Sequence, residues 1–137
     1  MQVVVNNLLA NYSRMGKGKT ILLLHGWGDK AAGLQPLQTA LSKQFDCLAP
    51  DLPGFGSSQM PDSAWGLDDY ASFLTEFVKK LSIKELYVVI GHSNGGAIAI
   101  RGLATGNLTA ERLVLLASSG IRGTYNGRTK AIRFVTK

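Results

Sequence analysis

Ser93 lies between Gly91 and Gly95 in the stretch Val88 to Gly96, VVIGHSNGG, and has the clearest claim to chemistry in the chain. A serine hydroxyl attacks a carbonyl carbon efficiently only when an exposed turn presents it, a base activates it, and donors face the developing oxyanion. The Gly-x-Ser-x-Gly frame meets the first requirement by setting a serine on a strained turn from a strand into a helix. Gly91 and Gly95, two residues to either side, lack the Cβ that would clash in so tight a turn, and Gly96 extends the run of small residues. The backbone N–H of Asn94, at the start of the helix, is one candidate donor to the oxyanion. The second is expected in the loop after an earlier strand, where His25-Gly26-Trp27-Gly28 offers the N–H of Trp27. A five-residue frame alone also arises by chance, so the reading depends on the elements that surround it.

Apolar periodicity outlines those elements. Val3 to Val5 and Leu8 to Ser13 are short apolar runs separated by Asn6-Asn7, two residues that tolerate positive φ, and they predict a β-hairpin. Thr20 to His25, TILLLH, is a buried strand emptying into a loop at Gly26 and Gly28. Gly33 to Gln44 carries Leu34, Leu37 and Leu41 at helical spacing, with Pro36 admissible only in the first turn. Phe45 to Pro50 is the next strand, and Asp51 to Asp62 is a loop rich in Gly, Pro and Ser. Leu67 to Leu81 is the strongest helix, with Asp68 and Asp69 at its positive end and Lys79 and Lys80 at its negative end. Leu86 to Ile90 then reads as a central strand, Ala97 to Leu103 as a packed helix, and Arg112 to Ala117 as a further buried strand. Strands alternating with helical crossovers define an α/β protein with a mostly parallel sheet. Ligands of such sheets bind beyond the carboxyl ends of the strands. The glycine-rich loops after His25, Pro50 and Gly91 all leave from that edge.

In this order, HGWG, DLPGFGSS and GHSNGG resemble the motifs of the α/β-hydrolase superfamily, and the resemblance covers most of residues 8 to 120. HGWG with DLPGFG is similar to small cytosolic carboxylesterases and related lid-bearing hydrolases, including the esterase of biotin synthesis. A serine in the elbow argues against the haloalkane dehalogenases and epoxide hydrolases of the fold, which place an aspartate there. The resemblance implies a serine hydrolase acting on an ester or related acyl bond of a small apolar substrate, with no cofactor and no metal. Ser93 would be its nucleophile, the N–H groups of Trp27 and Asn94 its oxyanion hole, and His25, Gly26, His92 and Phe55 neighbours of its pocket. The Asp51 to Ser57 loop would flank that pocket structurally, with neither Asp51 nor His25 in the triad. Phe55 and Met60 would either line an acyl pocket or pack beneath a lid.

The sequence also departs from the family pattern, in which the triad runs Ser, then Asp or Glu, then His. After Ser93 the only acid is Glu111, before its strand at the end away from the site, and the only histidines are His25 and His92. His92 adjoins the serine on a turn that should direct its ring elsewhere. The expectation is therefore an N-terminal part of the fold (residues 1–119) lacking the last strands and the lid, followed by a basic tail (120–137) that begins the lid region. The alternative is a non-catalytic domain that keeps the pocket for binding or self-associates. RLVLLA, at Arg112 to Ala117, is apolar on both faces and would leave an open sheet edge through which copies could associate.

Composition narrows the remaining classes. The 137 residues carry a net charge of +6. Five of the basic residues (Arg122, Arg128, Lys130, Arg133 and Lys137) fall with no acid between Gly120 and the end, and subtracting them leaves +1 for residues 1–119. A nearly neutral body and a tail without a nucleic-acid motif speak against nucleic acid as the partner. No apolar stretch approaches the roughly 18 residues of a membrane span, and no leader pattern opens the chain. With Cys47 as the one cysteine, no intrachain disulfide can form, and a cytoplasmic setting is expected.

Overall fold

The structure, a computed structural model, describes residues 1–120, so the basic tail and the lid expected within it lie outside the described residues. Six strands form one mixed sheet: β1 (Gln2–Val5), β2 (Leu8–Met15), β3 (Thr20–Leu24), β4 (Asp46–Pro50), β5 (Leu86–His92) and β6 (Ala110–Leu116), in the spatial order β1-β2-β4-β3-β5-β6. The hairpin β1–β2 turns through Asn6 and Asn7, both in the left-handed region at φ 49° and 64°, a two-residue turn that follows the twist of its strands. β2 pairs antiparallel with β4, whereas β4, β3, β5 and β6 run parallel. The parallel strands thus empty their loops at a single edge.

Period-two alternation divides β3 between two cores. Leu22 and Leu24 face α2 (Leu67–Lys80) and α3 (Asn94–Ala104), in one cluster with Phe73, Phe77 and Ile98. Ile21 and Leu23 face the other way, toward Ala31, Leu34 and the half-buried Leu37 and Leu41. Each fully buried side chain of this size contributes about 1.5–3 kcal/mol, so burial on both faces fixes the central strands.

Several boundaries differ from the sequence reading, and α3 begins three residues earlier than expected, at Asn94 rather than Ala97. The helix expected over Gly33 to Gln44 is a 3-10 turn, Ala31–Leu34, followed by a short α1, Gln35–Leu41, with Pro36 in its first turn. Gln38 on its inner face is buried, accepting from the Ser13 hydroxyl at 2.8 Å and donating to the Cys47 carbonyl at 3.0 Å. The last strand starts earlier and ends earlier than expected, because Ala117 takes φ 44° and turns the chain out of the ladder. Glu111 accordingly lies inside β6 rather than before it, 3.6 Å from Lys19 at the edge away from the glycine-rich loops.

Candidate active site

The serine lies where β5 ends and α3 begins. Ser93 has φ 50° and ψ −117°, a conformation that costs a non-glycine residue about 1–3 kcal/mol and persists only where its surroundings dictate it. The surroundings supply four backbone contacts. The Ser93 N–H donates to Leu116 O at 3.0 Å, and the Ser93 carbonyl accepts from Gly96 (3.0 Å), Ala97 (3.4 Å) and Ser119 (3.0 Å). The Ser93 side chain does not cap its helix, which leaves the hydroxyl free of the N–H groups of the first turn. The N–H groups of Asn94 and Gly95 precede the first residues that can bond within the helix, and the positive end of the helix dipole lies there.

The glycines around the serine are needed for close approach. A Cβ on Gly91 would come within 2.5 Å of Gly96 Cα, and one on Gly95 within 2.5 Å of the His25 carbonyl oxygen. A Cβ on Gly96 would meet the Ser118 side chain, with Ser118 Cβ at 2.7 Å. Gly26 completes the set from the opposing loop: a Cβ there would lie 3.1 Å from His92 Nδ1 and 3.2 Å from Ser93 Cβ. The HGWG backbone is therefore drawn up against the serine, and the His92 ring sits against Gly26.

Trp27 follows in a turn closed by Asp29 N–H donating to Gly26 O at 3.2 Å, with Gly28 at φ 73°. Positive φ at the third position defines a type II turn, which leaves the N–H of its second residue, here Trp27, outside the closing bond. Trp27 is 72% exposed, and its indole meets the Phe55 ring edge-on at 4.9 Å. Phe55 in turn meets the His25 ring at 5.7 Å.

His25 is fully buried and holds two loops together. Its Nε2 accepts from the Leu52 N–H at 2.9 Å, which leaves Nδ1 to donate to Gly26 O at 2.8 Å. Burial holds its pKa below the ordinary value, against the opposing pull of the Gly26 carbonyl, Asp51 and Asp29. With both nitrogens bonded and the ring neutral, His25 is a structural residue. Asp51 performs the same service for the next loop, accepting from Ala31 N–H (2.7 Å), Asn11 Nδ2 (2.9 Å) and Ser57 N–H (2.9 Å). Burial alone would raise its pKa, but the hydrogen bonds from Ser57, Ala31 and Asn11 outweigh it and hold the carboxyl low. Cys47 is buried in β4, and burial with the nearby Asp46 charge pushes its thiol up, away from reactivity.

The structure thus draws Ser93, His92, Gly26 and the glycine frame together at one edge, with Trp27 and Phe55 beside them. Glu111 stays at the other edge. Among the described residues no group of three or more His, Cys, Asp or Glu is arranged to hold a metal ion, and no helix is long and apolar enough to cross a membrane. Sequence reasoning missed Leu116, Ser118 and Ser119, whose groups meet the elbow from the end of β6. Nothing in their residue types announces it.

This fold and elbow are those of a hydrolase scaffold, and the comparisons agree. The sequence model of the Alpha/beta hydrolase family matches residues 21–135, and the chain belongs to that family. It is similar to a soluble epoxide hydrolase of Corynebacterium sp. (strain C12), 32% identical over 84% of this chain and 40% of that one. It is also similar to a 2-hydroxy-6-oxo-6-(2'-aminophenyl)hexa-2,4-dienoic acid hydrolase of Metapseudomonas resinovorans, 26% identical over 80% of this chain and 39% of that one. Among solved structures, a meta-cleavage product hydrolase from Pseudomonas fluorescens IP01 superposes with a TM-score of 0.82 at 27% identity, covering 90% of this chain and 47% of that one. The chain therefore spans less than half the length of these proteins.

Proposed function

We propose that the chain carries the nucleophile half of a serine hydrolase acting on an ester or related acyl bond of a small, largely apolar substrate. One observation supports this above the rest: a serine held at φ 50° and ψ −117° on the N-terminus of α3, its hydroxyl not capping the helix and beside backbone N–H groups not bonded within it. Ser93 would attack the carbonyl carbon, and the N–H groups of Asn94 and Trp27 would receive the negative charge on its oxygen. The exposed Trp27 and its partner Phe55 would give the approach to Ser93 an aromatic wall suited to apolar substrates. His25 is committed to its loops and Glu111 stays at the other edge, so neither of them would serve as the general base or its orienting acid. The setting we propose is cytoplasmic, in keeping with the single buried cysteine.

The test is prolonged exposure to excess fluorophosphonate, with the modified residue located by mass spectrometry. Without a histidine as base the serine needs a proton acceptor, so excess imidazole is added as an external base. The Ser93 oxygen bonds phosphorus as fluoride leaves, and imidazole takes the hydroxyl proton. Modification confined to Ser93, dependent on imidazole and lost in Ser93→Ala, is expected. A chain that stays unlabelled would instead be a binding module of hydrolase shape. Ester turnover at ordinary family rates, abolished by Ser93→Ala, would show that no outside base is needed.

A second reading draws support from the similarity to the meta-cleavage product hydrolase and the dienoic acid hydrolase. The same serine and donors, acting on a ketone carbonyl, would cleave a C–C bond in place of an ester.

A further inference from the structure

The last residue of β6 and Ser118, Ser119 and Gly120 after it meet the elbow. Leu116 O accepts the Ser93 N–H, and Ser119 N–H donates to Ser93 O, both at 3.0 Å. Ser118 packs its side chain where a Cβ on Gly96 would otherwise be, and Gly120 lies against Ala97, 3.3 Å separating its notional Cβ from that residue's Cβ. Ala117 makes this path possible by taking φ 44°, a left-handed conformation rare for alanine. The strap thus crosses the first turn of α3 and pins the carbonyl of the strained serine, while Leu116 at the end of β6 holds its N–H. Without the Ser119 bond, the Ser93 carbonyl would keep only its two helical partners.

We propose that residues 117–119 form a positioning clamp for the nucleophile, with the Ser119 N–H as its latch and the Ala117 turn as its hinge. The proposal deepens the serine-hydrolase reading and rests on it for the consequence at Ser93. The clamp acts on where the hydroxyl is presented, and Ser119 itself does not meet the substrate.

The experiment compares Ser119→Pro, which removes the N–H, with Ser119→Ala, which keeps it. Two readouts are taken on each: the fluorophosphonate labelling rate of Ser93 and the hydrogen-exchange rate of the Ser93 amide. For Ser119→Pro the expected results are a fall of about tenfold or more in labelling and a rise of about tenfold or more in exchange at Ser93, with α2 and β3 protection unchanged. Ser119→Ala should match the parent in both. A second pair avoids the proline: Ala117→Val, which disfavours the left-handed turn, should lower labelling, while Ala117→Gly should not. If Ser119→Pro and Ala117→Val label Ser93 at the parent rate, the clamp is refuted and the hydrolase reading stands. If the parent never labels yet Ser119→Pro frees the Ser93 amide, the clamp stands as a holder of the elbow and the hydrolase reading fails. Equal loss in Ser119→Ala and Ser119→Pro would also refute the latch.

Discussion

Protonating a buried imidazole means placing a charge where water cannot reach it, and His25 is neutral in the fold for that reason. Its pKa lies below 6.5 when folded and returns to that value on unfolding. As pH falls through 6.5 the unfolded chain takes up the proton first, so the stability His25 contributes is complete above 6.5 and is lost below it. Asp51 has its folded pKa lowered from 3.8, so its contribution is present above that pH and is lost only in stronger acid. Urea midpoints measured across pH should therefore begin to fall below pH 6.5 and fall again below 3.8. His25→Leu should remove the upper decline and cost about 1–3 kcal/mol at neutral pH, because the buried Leu52 N–H loses its acceptor. An unchanged decline in that variant would place the titration elsewhere. The sequence showed the glycines as a crowded elbow, because that role follows from short-range geometry, and it placed His25 beside the pocket without showing that its ring ties two loops together. It did not show Ser118 filling the space behind Gly96, since that contact joins residues 22 apart through the fold of β6 against α3.

At the scale of elements, α2 links the core to the site. Tyr70, Ala71, Phe73, Leu74 and Phe77 are buried on one face, and the Tyr70 hydroxyl donates to Pro53 O at 3.1 Å inside the DLPGFG loop. The helix is thus both a wall of the core and a tether for the loop that carries Phe55. Phe77→Ala, which empties a fully buried site against Tyr12 and Phe73, should cost about 3–5 kcal/mol in urea denaturation. Tyr70→Phe keeps the packing and removes one bond, so about 1 kcal/mol is expected. Similar losses in the two variants would mean that the tether matters as much as the core. This helix was legible to within one residue because its apolar stripe, acidic start and basic end agree. The helix over Gly33 to Gln44 was less so. Apolar spacing cannot distinguish a 3-10 turn from an α-turn, and the inward-facing Gln38 breaks the pattern that marks a core face.

For the whole molecule, the unresolved tension is at β6. Its register pairs Val114 with Ile90 and Leu116 with His92, so these side chains share the sheet face that α1 and its preceding turn cover farther along. That cover does not reach them: Val114 is 40% and Leu116 36% exposed. Among the described residues β6 pairs with β5 alone, so none of them meets the N–H and C=O groups on its other side, which lie next to apolar side chains, a combination that invites pairing with another chain. The isolated 137-residue chain is expected to self-associate through this edge, with a sedimentation profile that shifts to larger species as concentration rises. Val114→Lys places a charge on the exposed face without touching Ser93 or its hydrogen bonds, and should move the distribution toward monomer while leaving fluorophosphonate labelling of Ser93 unchanged. A parent chain that sediments as a monodisperse monomer at every concentration would show that this edge is covered from within the chain.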